Sequence, residues 1–202
     1  MRMSGQAEYD DLDVFVNEWL AAGEMPEPTI ELGTGMVEYY KTPARVVVEM
    51  IGRIDWKSSD VFVDLGAGLG QVALLVHLMT GVRALGVEIE PAYCAYARRS
   101  AEVIGAAAGV RFVAGDVRTA DLSEGTVFFL FTPFKGEVFD QVMERLRVVA
   151  ELHPIRVIGY GPCLKEIAGL EWLKREGEGD GDRDGGDYDY FFRYALGIFG
   201  SV

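Results

Sequence analysis

The segment Asp64-Leu-Gly-Ala-Gly-Leu-Gly-Gln71 holds the residues best spaced for chemistry. Its glycines, Gly66, Gly68 and Gly70, fall between an apolar run and a helical pattern. There a backbone turns sharply and approaches a ligand closely. A dinucleotide site would need Gly-x-Gly-x-x-Gly, with a small residue at position 71. Position 71 is Gln, so that fingerprint fails. What stands here is an acidic residue ahead of three alternating glycines. A carboxylate in that place suits a ligand with a cationic amino group, not a pyrophosphate.

The surrounding pattern supplies elements to position this turn. Apolar residues at Val14, Phe15, Trp19 and Leu20 predict a helix over 11–22, ended by Gly23, Pro26 and Pro28. Thr42-Pro43 opens a second helix to about residue 54, with Thr42 as N-cap and Pro43 in the first helical position. Short apolar runs at 61–65, 84–87, 110–113, 126–131 and 155–159 predict buried strands. Helical patterns separate most of them, one opening at Glu90-Pro91 and another marked by Phe139, Val142, Met143, Leu146 and Val149. That alternation implies a mainly parallel sheet with helices on both faces. Residues 170–175 and 190–199 read as two further strands, joined by an acidic, glycine-rich loop at 176–187 that is expected to be flexible.

On the turn motif, the chain resembles the class I S-adenosylmethionine-dependent methyltransferases over residues 39–199. The resemblance continues at three more strand ends: Gly86-Val-Glu-Ile-Glu90, Gly115-Asp116 and Phe131-Thr-Pro-Phe134. With Tyr39-Tyr-Lys-Thr-Pro43 upstream, it is most similar to the DOT1-like branch, which contains protein-lysine methyltransferases. The likeness implies a Rossmann-like, seven-stranded, mostly parallel sheet with a C-terminal antiparallel hairpin. It implies one domain over 1–202, with 1–42 as a helical cap and lid and 43–202 as the core. The implied cofactor is S-adenosyl-L-methionine. Its methionine end would meet Thr42, Asp64, Gly66, Gly68, Gly70 and Gln71, its ribose Glu88, and its adenine Asp116 and Val117. Tyr39, Thr132 and Phe134 would face the methyl acceptor, a protein lysine or a small molecule. An Asn-Pro-Pro-Tyr motif common in amino-methylating relatives stands here as Phe-Thr-Pro-Phe, without the Asn that would accept from an amine.

Composition narrows the class. Lys+Arg number 19 and Asp+Glu 32, a net charge of −13, which disfavours nucleic acid and anionic membrane surfaces as partners. The first ten residues lack a signal-peptide core, and no apolar run is long enough to span a membrane. A cytoplasmic protein is expected. No metal-ligating set is found: Asp180-x-Asp-x-Asp-Gly185 lacks the apolar eighth and Glu twelfth positions of an EF-hand. His77, His153, Cys94 and Cys163 read as structural. Tyr39, Tyr40 and Phe134 read equally well as packing residues, and Thr42 as a cap alone. A small-molecule methyltransferase and a cofactor-binding domain without activity remain alternatives.

Overall fold

The structure is a computed structural model that describes residues 9–176 and 196–202. Seven strands form one sheet in the order β3-β2-β1-β4-β5-β7-β6. They are β1 (Val61–Leu65), β2 (Arg83–Glu88), β3 (Val110–Ala114), β4 (Val127–Leu130), β5 (Arg156–Tyr160), β6 (Leu173–Arg175) and β7 (Leu196–Ser201). The first five pair in parallel, while β7 lies antiparallel between β5 and β6. Six helices accompany them: α1 (Asp11–Leu20), α2 (Ala44–Gly52), α3 (Gln71–Thr80), α4 (Pro91–Val103), α5 (Glu137–Ala150) and α6 (Leu164–Ala168). Among the described residues no helix is long and apolar enough to cross a membrane.

Alternation along the strands builds two cores, one on each face. Phe62, Phe129 and Ile158 point toward α1 to α4, where they meet Val16, Met50, Leu74 and Ala97. Val63, Phe128 and Val157 point the other way, onto Phe139, Met143 and Leu146 of α5 and Ile167 of α6. A strand buried on both faces reads as a continuous apolar run, which is why β1 and β4 were visible in the sequence. Helix α6 has only five residues, too few for a periodic signal, and it escaped. The acidic loop after Glu176, the calcium-like run and the first part of the last expected strand lie outside the described residues.

The start of α2 differs from the expectation. Thr42 does not cap it; Pro43 is the N-cap, with ψ 136°, and the helix begins at Ala44. Its first amide is accepted instead by Oδ1 of Asp13 in α1, at 2.8 Å. Asp13 Oδ2 also accepts from the Asp10 amide at 3.1 Å, within the capping box of α1. One buried carboxylate therefore caps two helices 31 residues apart in sequence. Asp13→Ala would strand both amides and should cost about 1–3 kcal/mol. Urea unfolding checks this; an unchanged midpoint would show that water takes the carboxylate's place.

Candidate functional site

The chain runs β1, β2, β3 toward one sheet edge, then returns to place β4 on the other side of β1. That reversal opens a crevice at the carboxyl ends of β1 and β4, where open α/β sheets bind ligands. A cavity of about 790 Å³ occupies it. Strand ends form its floor, and residues 28–42 cross it as a strap.

The glycine turn is shaped by its neighbours. Gly70 has φ 84° and caps α3; a Cβ there would come within 2.6 Å of the Phe112 ring, so this glycine lets α3 sit on the sheet. Gly68 has φ 52°, and a Cβ there would collide with the ring of Tyr39. Space at Gly68 is thus taken by an aromatic residue of the strap. The Tyr39 ring also lies 5.5 Å from that of Tyr93. Burial, then the negative fields of Tyr9, Asp64 and others, holds the Tyr39 hydroxyl well above the usual tyrosine range. It is a donor at neutral pH, not a base.

Three of the carboxylates that line the cavity stand in different states. Asp64 is 3% exposed, and its Oδ2 has no hydrogen-bond partner. Burial and then the charge of Glu88 push its pKa up to about 8, while the Ala73 amide pulls it back. Glu88 is also buried, but Oε2 accepts from the Gly68 amide at 2.7 Å and Oε1 from the Glu90 amide at 2.8 Å. Burial still raises its pKa against the Glu90, Gly68 and Ile89 amides. Each oxygen keeps a lone pair for a ligand hydroxyl. Asp116 reaches the wall with both oxygens held by Arg118, at 2.6–3.0 Å. The guanidinium holds its carboxyl below the usual range. A ligand amine at Asp116 would have to share it with Arg118. Beside it, Val117 lines the cavity, and its carbonyl accepts from Arg145 at 2.6 Å.

Gln71, the first residue of α3, donates from Nε2 to the Thr42 carbonyl at 2.7 Å, joining the turn to the end of the strap. Phe134 edges the cavity but is 4% exposed and packs 6.5 Å from the Phe139 ring, in the core. Thr132 does not line the cavity. Its φ is +44°, alone among the described non-glycine residues. Its hydroxyl donates to the Tyr160 carbonyl and accepts from the Cys163 amide, so it shapes the turn after β4. Next to that turn, the Val37 amide bonds the Pro133 carbonyl and the Lys135 amide bonds the Gly35 carbonyl, pairing strap with turn.

One important residue lay outside the expected set. Glu90, read only as a helix start, is 3% exposed and accepts from the Thr29 hydroxyl, the Thr29 and Ile30 amides and the Ala92 amide. Burial raises its pKa, but these four donors outweigh it and bring it to about 2. A Glu before Pro signals a helix N-cap; nothing local signals a partner 61 residues away.

The orphaned Asp64 oxygen and the spare acceptor positions of Glu88 fit a ligand with an ammonium and a ribose. A sequence family described as histone methylation protein DOT1 matches residues 34–113. A protein-lysine N-methyltransferase of Saccharolobus islandicus is 30% identical over 142 residues, covering 67% of this chain and 86% of that relative. The chain belongs to the class I S-adenosylmethionine-dependent methyltransferases, related to the DOT1-like branch. A ribosomal protein L11 methyltransferase of Deinococcus radiodurans is 31% identical over 76% of this methyltransferase chain, which spans 51% of that relative's length. An RNA methyltransferase from Salinibacter ruber, solved with S-adenosyl-L-homocysteine, has a TM-score of 0.57 at 24% identity, covering 80% of this chain and 92% of its own. At that identity the likeness is one of fold.

Two outcomes follow from the carboxylates. An ammonium bound at Asp64 would pair with it only after the carboxyl loses its proton, so such binding at neutral pH should release protons. Affinity for S-adenosylhomocysteine should weaken as pH falls below about 8. Calorimetric heats should vary with the buffer's ionisation enthalpy, and Asp64→Asn should remove both effects. Glu90 behaves oppositely. Its depressed pKa contributes stability that is complete above 4.5 and lost as pH falls through about 2. Glu90→Gln should speed hydrogen exchange at the Thr29 and Ile30 amides by about tenfold or more.

Proposed function

We propose that this protein methylates an amine, the side-chain amine of a lysine in an acceptor protein, using S-adenosylmethionine. The observation that carries the reading is the charge of the cavity wall. Glu31, Glu38, Asp64, Glu88, Glu90 and Asp116 line it, and no Lys, Arg or His does among the described residues. A nucleic-acid acceptor would bring phosphates that need cations there. A cationic amine is drawn in. The names of the relatives that act on proteins support the same class.

In this reading Asp64 takes the ammonium of the cofactor, Thr42 and Gln71 border its methionine end, Glu88 the ribose, and Asp116 with Val117 the adenine. The cofactor supplies a methyl group already activated on a sulfonium, so the protein's task is to orient the amine and exclude water. Tyr39 and Phe134, with Phe131 and Pro133, make the aromatic and apolar side of the cavity. Thr132 holds the turn that carries Phe131, Pro133 and Phe134 and acts through position. Glu38, exposed at the wall, is the carboxylate placed to receive the proton of an arriving ammonium. The reaction is set in the cytoplasm: Cys94 and Cys163 are buried and free, as a reducing compartment leaves them.

Incubation with labelled cofactor, a lysine-bearing peptide and a transfer RNA tests the class. Label should appear on the lysine amine. Glu38→Gln should lower transfer by about 10²-fold, the low end of general-base effects, and leave S-adenosylhomocysteine affinity nearly unchanged. Efficient labelling of the RNA would overturn the acceptor class.

A further inference from the structure

Exposed apolar side chains are concentrated in residues 9–40, which hold nine of the seventeen large ones exposed among the described residues. Ile30, Leu32 and Tyr40 are accounted for by the cavity they line. The side chains on α1 are not. That helix holds to the body through Asp13, Val16 and Leu20. A separate stripe, Leu12, Phe15 and Trp19, recurs at i, i+3 and i+7. Phe15 is 60% exposed and Trp19 44%, and their rings stack at 6.2 Å with planes 23° apart. One apolar stripe suffices to anchor a helix. A second one, aromatic and outward, is the composition of an interface core.

The surroundings identify the occupant by charge. Asp10, Asp11, Glu18, Glu24 and Glu27 are exposed around or just beyond α1, and Glu31 and Glu38 continue the series along the strap. Between residues 9 and 42 the sole cation is Lys41, and its ammonium is bonded to Asn17. A second copy of this chain would bring the same carboxylates against themselves. A segment with lysines around apolar residues matches both features.

We infer that the outer face of α1 docks a basic segment of the acceptor protein, with apolar side chains against Leu12, Phe15 and Trp19 and cations against the surrounding carboxylates. The face is connected to the cleft. Residues 21–27 lead from α1 into the strap, and the Tyr9 hydroxyl donates to the Lys41 carbonyl at 2.6 Å, fastening the two ends of the cap together. A segment held on α1 therefore stays beside the roof of the cavity. The inference rests on the lysine-acceptor reading for what the segment belongs to; docking itself is measurable without methyl transfer.

The probe is a fluorescein-labelled peptide of lysine and leucine at helical spacing, with an all-lysine peptide of equal charge as control. Anisotropy should show the mixed peptide bound more tightly than the control, with affinity falling as salt rises. Phe15→Ser/Trp19→Ser should weaken it about tenfold or more, with the melting temperature and S-adenosylhomocysteine affinity unchanged. Glu18→Gln/Glu24→Gln should flatten the salt dependence. Equal affinity in the aromatic variant overturns the inference, as does failure of the wild type to bind. A wild-type dimer in sedimentation that the aromatic variant dissolves would also overturn it, assigning the face to a second copy. A peptide that binds through this face but receives no methyl group supports the docking surface and defeats the lysine reading alone.

Discussion

Glu88, the last residue of β2, and Glu90, the N-cap of α4, set the geometry on which the rest of the cleft depends. Glu88 ties the glycine turn to the start of α4 by accepting one amide from each. Glu90 caps α4 and, with the same carboxylate, fixes Thr29 and Ile30 at the entry of the strap. Floor and roof thus hang on side chains two residues apart. Amides satisfy these groups as hydrogen-bond acceptors but do not neutralise their charge. At Asp64, burial first and then the charge of Glu88 drive the carboxyl up to about 8. Arg118 balances Asp116, but no cation among the described lining residues faces Glu31, Glu38, Glu88 and Glu90, and that imbalance gives the cleft its preference for a positive ligand.

What the sequence discloses and what it conceals follow the range of the interactions. That Asp64, Gly66 and Glu88 meet at one place is legible because a strand-turn-helix unit places its residues at fixed offsets, while Gly68 and Gly70 do not line the cavity and pack under Tyr39 and Phe112. Strands β1, β2, β4 and β5 are legible because burial on both faces demands continuous apolar runs. The cap of α2 is not, since Asp13 reaches it from another helix and overrides the local Thr-Pro signal. The strap's anchorage is hidden for the same reason: Glu90 and Thr29 meet only once β2 and α4 are in place. Thr132 stands after β4 as its motif predicts, yet its hydroxyl turns to the Tyr160 carbonyl and Cys163 amide. Side-chain type and spacing say which strand end a residue occupies; they do not say whether its polar atoms are already committed.

The turn after β4 illustrates how the acceptor side is built. A threonine at positive φ is strained, and it persists only where neighbours over-determine it. Here the last residue of β5 and the N-cap of α6 each supply one bond to its hydroxyl, and the strap pairs with Pro133 and Lys135, on either side of Phe134. The strap therefore touches both ends of the site. It is fixed by Glu90 near the carboxylates and by the β4 turn near the aromatic groups. Its ring at Tyr39, seated on Gly68, lies between the two.

That division bears on how an amine acceptor is activated in the proposed reaction. Carboxylates attract a lysine as its ammonium, but the nucleophile is the neutral amine. Bringing its pKa from about 10.4 to about 7 requires about 4.6 kcal/mol of bias against the charged form. Carboxylates alone would push the other way. Desolvation opposes them, and full burial moves lysine pKa values by up to about 3–5 units. The sulfonium adds repulsion of the same sign. Attraction must therefore act at the exposed mouth, where Glu31 and Glu38 stand, and desolvation further in, against Tyr39, Phe131 and Phe134. The buried acids do not undo this. Asp64 is matched to the cofactor's own ammonium, and Glu88 and Glu90 are engaged by amides on the cofactor side. The rim carboxylates can draw in the ammonium and Glu38 can take its proton there, while the apolar wall further in favours the neutral amine, because the fold keeps these exposed carboxylates at the rim.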